Sequence, residues 1–260
     1  MNDAELQAIL TPLAELDPEA GREALRLLAG TGADQARAAA VAEDGVLAVS
    51  QEPGLGREVV QALCLLAPEV PGRRFAACRR LIRAACRRGP TLGAAMARGL
   101  AAAEPSGGPR LSARFLRAFH ALEATGSHAL KLPLEAFAAL AAEDPDAAAA
   151  YLDLLAAVFS RRWHYHQTLK FIQRIPALAK SLPPARRGYQ MQAMASVARR
   201  EPDVVRPFMD GLEADLALLD QADLRSFARR GLDRAADSVE AGRRFFRLES
   251  AGAKELCASL

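Results

Sequence analysis

Ala141-Ala142-Glu143-Asp144-Pro145-Asp146 opens a run in which Ala149, Leu152, Leu154, Leu155 and Phe159 follow. Spacings of three and four put this set on one side of a helix. The Asp-Pro step marks where that helix begins. Proline suits a first helical turn because the N–H it lacks would be unpaired there anyway. An acidic residue beside it is favoured by the positive end of the helix dipole. An acidic or small residue precedes a proline in the same way at Asp17-Pro18, Glu52-Pro53, Gly89-Pro90 and Glu201-Pro202. After Pro202 come Val205, Phe208, Met209, Leu212 and Leu216, again with helical spacing. All five prolines read as helix starts rather than helix breaks.

The run also recurs. Arg199-Arg200-Glu201-Pro202-Asp203 matches Ala141-Ala142-Glu143-Asp144-Pro145-Asp146 when shifted back by 57 residues, and the same shift sets Asp210-Gly211-Leu212 on Asp153-Leu154-Leu155. A second echo pairs Leu116-Arg117-Ala118-Phe119 with Leu224-Arg225-Ser226-Phe227. The earlier proline starts lie 35 and 37 residues apart and the later ones 55 and 57, so the unit is a helical pair that sometimes carries an extra helix. Irregular repeats of this size predict an all-α fold, an α-solenoid of HEAT- or armadillo-like helical pairs. About 13 to 15 helices joined by short loops are expected. Further breaks are expected at Gly30-Thr31-Gly32, Ser106-Gly107-Gly108-Pro109, Thr125-Gly126-Ser127 and Leu182-Pro183-Pro184. The whole of 1–260 reads as one helical-repeat domain, with a candidate lobe boundary near 105–110.

Composition supports the helical reading. Apolar residues make up 51% of the 260 residues but aromatic ones only 5%, so Ala and Leu supply the core, and both are strong helix formers. Residues that favour strands are sparse. The start, Met1-Asn2-Asp3-Ala4-Glu5, lacks the basic-then-apolar order of a signal peptide. No apolar stretch is long enough to span a membrane. Cys64, Cys78, Cys86 and Cys257 form no C-x-x-C pair and lie on apolar faces, where free Cys acts as a small hydrophobe. A cytoplasmic, reducing compartment is expected. The net charge of +3 hides an asymmetry: residues 1–70 carry 4 basic and 12 acidic side chains, residues 71–110 carry 9 and 1. Such a split concerns surface fields and partners rather than fold.

The basic segment runs from Arg73 to Arg88. Phe75, Cys78, Leu81, Ile82 and Ala85 make its apolar stripe, and Arg73, Arg80, Arg83 and Arg87 a basic one. That stripe reads as a solvated face offsetting the acidic neighbour, as a contact for an acidic protein, or as a phosphate contact to nucleic acid. A second candidate partner-binding edge is Arg161-Arg162-Trp163-His164-Tyr165-His166, since Trp, Tyr and Arg are frequent interface anchors. Its plainer reading is a helix start at which Trp163 and Tyr165 bury their rings. His164 and His166 stand two apart, face different directions on a helix and cannot easily share a metal. No G-x-S-x-G elbow or phosphate-binding P-loop is present. Gly30-Thr31-Gly32 has no strand before it to make a dinucleotide site. No catalytic residue, metal site or cofactor is expected.

The C-terminal segment holds Asp220-Gln221-Ala222-Asp223-Leu224-Arg225-Ser226-Phe227, Ser238-Val239-Glu240-Ala241-Gly242 and Arg243-Arg244-Phe245-Phe246-Arg247-Leu248-Glu249-Ser250. It reads as one or two helices capped by Asp220, with Leu224, Phe227, Ala235, Val239 and Phe246 inward. The aromatic pair followed by Leu-Glu-Ser resembles a stretch in the helical N-terminal region of bacterial von Willebrand factor A proteins that partner MoxR-type AAA+ ATPases. That family includes the nitric-oxide-reductase activation and Rubisco-activation proteins. The resemblance covers residues 110–260, where the Pro145 and Pro202 helices also look similar. The D-x-S-x-S metal-adhesion motif of the von Willebrand domain is missing, and Asp237-Ser238-Val239 does not supply it. The resemblance implies a non-enzymatic adaptor that docks on an AAA+ ring or its substrate. The alternative is a nucleic-acid-binding helical repeat using Arg73, Arg80, Arg83 and Arg87.

Overall fold

A computed structural model describes residues 1–125, 130–161 and 163–248, with side chains at all of these except 103–110, 112 and 248. The chain is all-α, a helical-repeat fold, with thirteen α-helices, two short 3-10 helices and no strand among the described residues. It divides into two compact units, Met1–Ser112 and Ala113–Leu260. In the first unit, α1 is Asp3–Leu16, α2 Pro18–Leu28, α3 Gln35–Gln51, α4 Pro53–Glu69 and α5 Gly72–Arg88. The helix α6, Pro90–Glu123, holds the division. The second unit contains α7, Lys131–Glu143, α8, Pro145–Phe159, α9, Tyr165–Ser181, and α10, Pro184–Arg200. It ends with α11, Val205–Leu212, α12, Gln221–Asp237, and α13, Val239–Leu248, with 3-10 helices at Pro202–Val204 and Asp215–Leu218.

The acidic residues before the prolines cap the helices as well as favouring their dipoles. The carboxylate of Asp17 accepts the N–H groups of Glu19 and Ala20 at 2.9 and 3.1 Å, and Asp144 accepts those of Asp146 and Ala147 at 3.0 Å. Glu52 does the same for Gly54 and Leu55. Each such cap satisfies donors that the helix itself cannot pair and contributes about 1 kcal/mol. Pro202 departs from this pattern: it opens the 3-10 helix, Glu201 makes no side-chain cap, and α11 starts only at Val205. The expected break at Ser106-Gly107-Gly108-Pro109 lies inside α6. Burial on both sides, at Leu100, Leu111 and Phe115, outweighs the low helix propensity of those four residues. Asp220 caps α12 as expected, and Leu224, Phe227, Ala235 and Phe246 are buried, whereas Val239 is half-buried. Gly126, Ser127, His128, Glu249, Ser250 and Cys257 lie outside the described residues.

Within each unit helices pack on their sequence neighbours, as α3 does on α4 and α12 on α13, and most also meet the helix two positions further along. In the first unit α1 packs on α3, α2 on α4 and α3 on α5, and in the second α7 packs on α9, α8 on α10, α10 on α12 and α11 on α13. Helical hairpins stacked in register produce this pattern. Arg side chains staple elements two positions apart. Arg57 on α4 reaches back 40 residues to Asp17 at the start of α2, with Nε to Oδ2 at 2.8 Å. Arg98 on α6 reaches back 40 residues to Glu58 on α4. The helices approach closely because their contact faces are small. At Gly56 an added Cβ would sit 2.5 Å from the Val49 Cα, and at Gly231 it would meet the Phe246 ring. Burial pushes the Cys64 thiol up to about 12 and raises that of Cys86, so both stay protonated core groups.

Two predictions follow from this packing. In a helix interior Gly56→Ala should gain about 1 kcal/mol of propensity. The obstruction here is Val49 backbone, which cannot swing aside, and overpacking costs about 1–3 kcal/mol. The variant should therefore unfold at lower urea. Asp17 has a depressed pKa, chiefly from the Arg57 hydrogen bond against the opposing effect of burial. Its contribution is present above the ordinary value of 3.8 and is lost as pH falls through the lower folded value. Asp17→Asn keeps a cap but removes the charge, so urea midpoints measured from neutral pH downward should fall less steeply in the variant.

Candidate partner-binding groove

The basic segment and the Trp163 segment lie in different units and are built differently. On α5, Phe75, Cys78, Ile82 and Ala85 are buried and Leu81 is half-buried, as the apolar stripe requires. The basic face is divided. The helical spacing groups Arg83 with Arg73, Arg80 and Arg87, yet it is committed inside the fold: its Nε bonds Asp44 and its Nη2 pairs with Glu43 at 2.7 Å. Arg79 makes the matching pairs, to Asp44 at 2.6 Å and Glu43 at 3.1 Å. Asp44 is only 2% exposed, so two guanidinium groups are what make its buried charge tolerable. The Arg83 hydrogen bond, with its charge, holds the Glu43 carboxyl below its usual range. Thus α5 neutralises part of the acidic first 70 residues through α3. Arg73, Arg80 and Arg87 are exposed and make no ion pair among the described residues.

In the second unit, α9, the turn at Pro202, α11 and α13 enclose a groove of about 540 Å³. Trp163 stands at its edge, just before α9. The indole N–H donates to the Val158 carbonyl at 2.7 Å, the ring lies 5.0 Å from that of Phe171, and the Arg161 guanidinium sits over it at 5.4 Å. Arg161 also pairs with Asp203 at 3.1 Å. Tyr165 begins α9 but does not bury its ring: it is 63% exposed, beside His166, and does not line the groove. The helix starts where the spacing predicts, but the Tyr165 ring is not buried, because it falls on the solvent side of the first turn. Arg162 lies outside the described residues.

The remaining walls were not singled out from sequence. Gln167, Lys170 and Arg174 follow Trp163 at intervals of four, three and four, one face of α9. Arg206 comes from α11, and Arg243 and Arg247 stand one turn apart on α13. The spacing along α9 was a legible signal; the meeting of three elements was not. The aromatic pair is what holds α13 in place. Phe245 and Phe246 are buried, with Phe246 5.3 Å from Phe208 and Phe245 4.9 Å from Phe227. With that face pinned inward, Arg243 and Arg247 fall on the groove side, and Arg243 Nε donates to the Asp203 carbonyl at 3.2 Å.

Five cations (Lys170, Arg174, Arg206, Arg243, Arg247) and one carboxylate (Asp203) line the groove. Arg174 is balanced by Glu213 and Asp210, and hydrogen bonding to Glu213 raises its pKa further. Arg243 lies 3.8 Å from Glu240. Lys170 and Arg206 are exposed and have no ion-pair partner among the described residues. The result is a concave surface with an apolar floor and a positive rim. His164 and His166 are exposed, and no three His, Cys, Asp or Glu side chains among the described residues converge on a metal position. No helix among the described residues is long and apolar enough to cross a membrane. Comparison with protein-family models, curated proteins and solved structures finds no match to this chain.

The division of the α5 face predicts opposite outcomes for two neighbouring positions. Asp44→Ala leaves Arg79 and Arg83 facing a cavity without their shared carboxylate, and should lower the unfolding free energy by about 3 kcal/mol. Arg80→Ala, on the free side, should change it by less than about 0.5 kcal/mol. Urea denaturation followed by circular dichroism distinguishes the two.

Proposed function

We propose that this chain is a non-enzymatic protein-interaction scaffold, the helical adaptor region of a von Willebrand factor A protein that works with a MoxR-type AAA+ ATPase in activating or maturing a target enzyme. The observation that carries the scaffold reading is the groove at Trp163, an apolar floor with a cationic rim presented by stacked helices. The AAA+ setting rests on the similarity of Phe245-Phe246-Arg247-Leu248-Glu249-Ser250 to the family's helical region. It gains support from the task of that aromatic pair here, which holds the groove's third wall. The intended compartment is the cytoplasm.

A second reading, nucleic-acid binding, is favoured by one observation: Arg73, Arg80 and Arg87 are exposed and unpaired among the described residues. Against it, Arg83 is occupied by Glu43 and Asp44, which leaves a short basic track where phosphate recognition uses several contacts along a backbone.

The scaffold reading predicts that the purified chain co-elutes with a MoxR-type AAA+ ATPase from the same genome, with that ATPase's von Willebrand factor A partner, or with the ATPase's substrate. Size-exclusion chromatography of the mixtures measures this. No association with any of the three sinks the AAA+ setting. Retention on DNA or RNA that weakens steeply with salt, and is lost in Arg80→Glu/Arg87→Glu, would favour the second reading instead.

A further inference from the structure

We infer that the groove at Trp163 receives an acidic peptide segment of a partner protein, with one aromatic or aliphatic side chain seated on the floor and carboxylates on either side meeting Lys170 and Arg206. This deepens the scaffold reading and rests on it. The floor is apolar where the anchor would sit: Phe171 is 6% exposed, and Pro202 and Pro207 face it across the groove. A cavity of about 540 Å³ accommodates a side chain and its flanking backbone.

The rim sets the sign of the partner. Carboxylates nearby are already engaged by particular cations: Asp203 by Arg161, and Asp210 and Glu213 by Arg174. Lys170 and Arg206 are left over on facing elements, α9 and α11, so the groove retains a positive field that its own fold does not cancel. A ligand that brings carboxylates completes the pairing, and charge complementarity of this kind sets specificity and association rate.

Nucleic acid fits the groove less well. Single strands bind by stacking bases on exposed aromatic faces along a basic track. Trp163 already holds Arg161 over its ring, lies 5.0 Å from Phe171, and spends its N–H on Val158. What it offers a ligand is an apolar edge.

Trp163 is the chain's single tryptophan, which makes it the reporter. The full chain is titrated with a synthetic peptide of Glu residues around one central Phe, and with three controls: Lys in place of Glu, Gly in place of Phe, and a single-stranded oligonucleotide. A saturable change in Trp163 emission is expected with the acidic, Phe-bearing peptide. Binding should be weaker without Phe and absent for the Lys peptide. Lys170→Glu/Arg206→Glu should weaken binding by about tenfold, in line with the loss and reversal of two exposed pairs, and Arg80→Glu on α5 should leave it unchanged. Lys170→Gln/Arg206→Gln serves if charge reversal perturbs folding. No saturable change, equal binding of the Lys peptide, indifference to both double variants, or tighter binding of the oligonucleotide overturns the inference. Co-elution with the ATPase or its partner that persists in those variants would leave the scaffold reading standing while this inference fails.

Discussion

Everything in this chain depends on helices approaching their second neighbours closely enough for long side chains to bridge them. The helices are rich in Ala, and Gly56, where any side chain would strike the Val49 backbone, shows how little space separates the consecutive helices α3 and α4 on which the next layer stacks. Small contact faces bury little area per residue, so the directional part of the packing falls to Arg. Arg57 to Asp17, Arg98 to Glu58 and Arg79 and Arg83 to Glu43 and Asp44 all join elements one hairpin apart. An Ala-lined interface slides easily; a guanidinium bonded to a capping or buried carboxylate does not. The staples thus fix the register of the stack.

This division of labour accounts for the charge asymmetry along the chain. The acidic first 70 residues and the basic segment after them are two halves of one internal arrangement where α3 meets α5. Charge that looks like a signal to an outside partner is partly structural. The part that is not structural can be named side chain by side chain, and on α5 it is Arg73, Arg80 and Arg87.

The same logic produces the groove in the second unit. Arg161 and Arg174 find carboxylates there and become part of the framework, while Lys170 and Arg206 find none and define the rim. The Phe245-Phe246 pair serves the groove from behind. Its rings lock α13 against Phe208 and Phe227, which turns Arg243 and Arg247 toward Trp163. A motif with no reactive group thus shapes the groove through orientation.

The sequence by itself determined the helices and most of their starts. Apolar spacing of three and four residues and Asp-Pro or Glu-Pro steps are local, and a cap is completed within three residues of itself. It also marked Trp163 and Arg161 as a place of interest. Four features were decided only by tertiary structure: the continuity of α6 through Ser106-Gly107-Gly108-Pro109, the exposure of Tyr165, the burial of Asp44 between two arginines, and the meeting of α9, α11 and α13. The reason is range. Propensity and capping act within a turn or two, whereas burial at Phe115 and Arg pairs spanning 35 to 40 residues act between hairpins. Whether a given arginine is spent inside the fold or left for a partner is set by which carboxylate the packing brings within reach, and no local pattern records that.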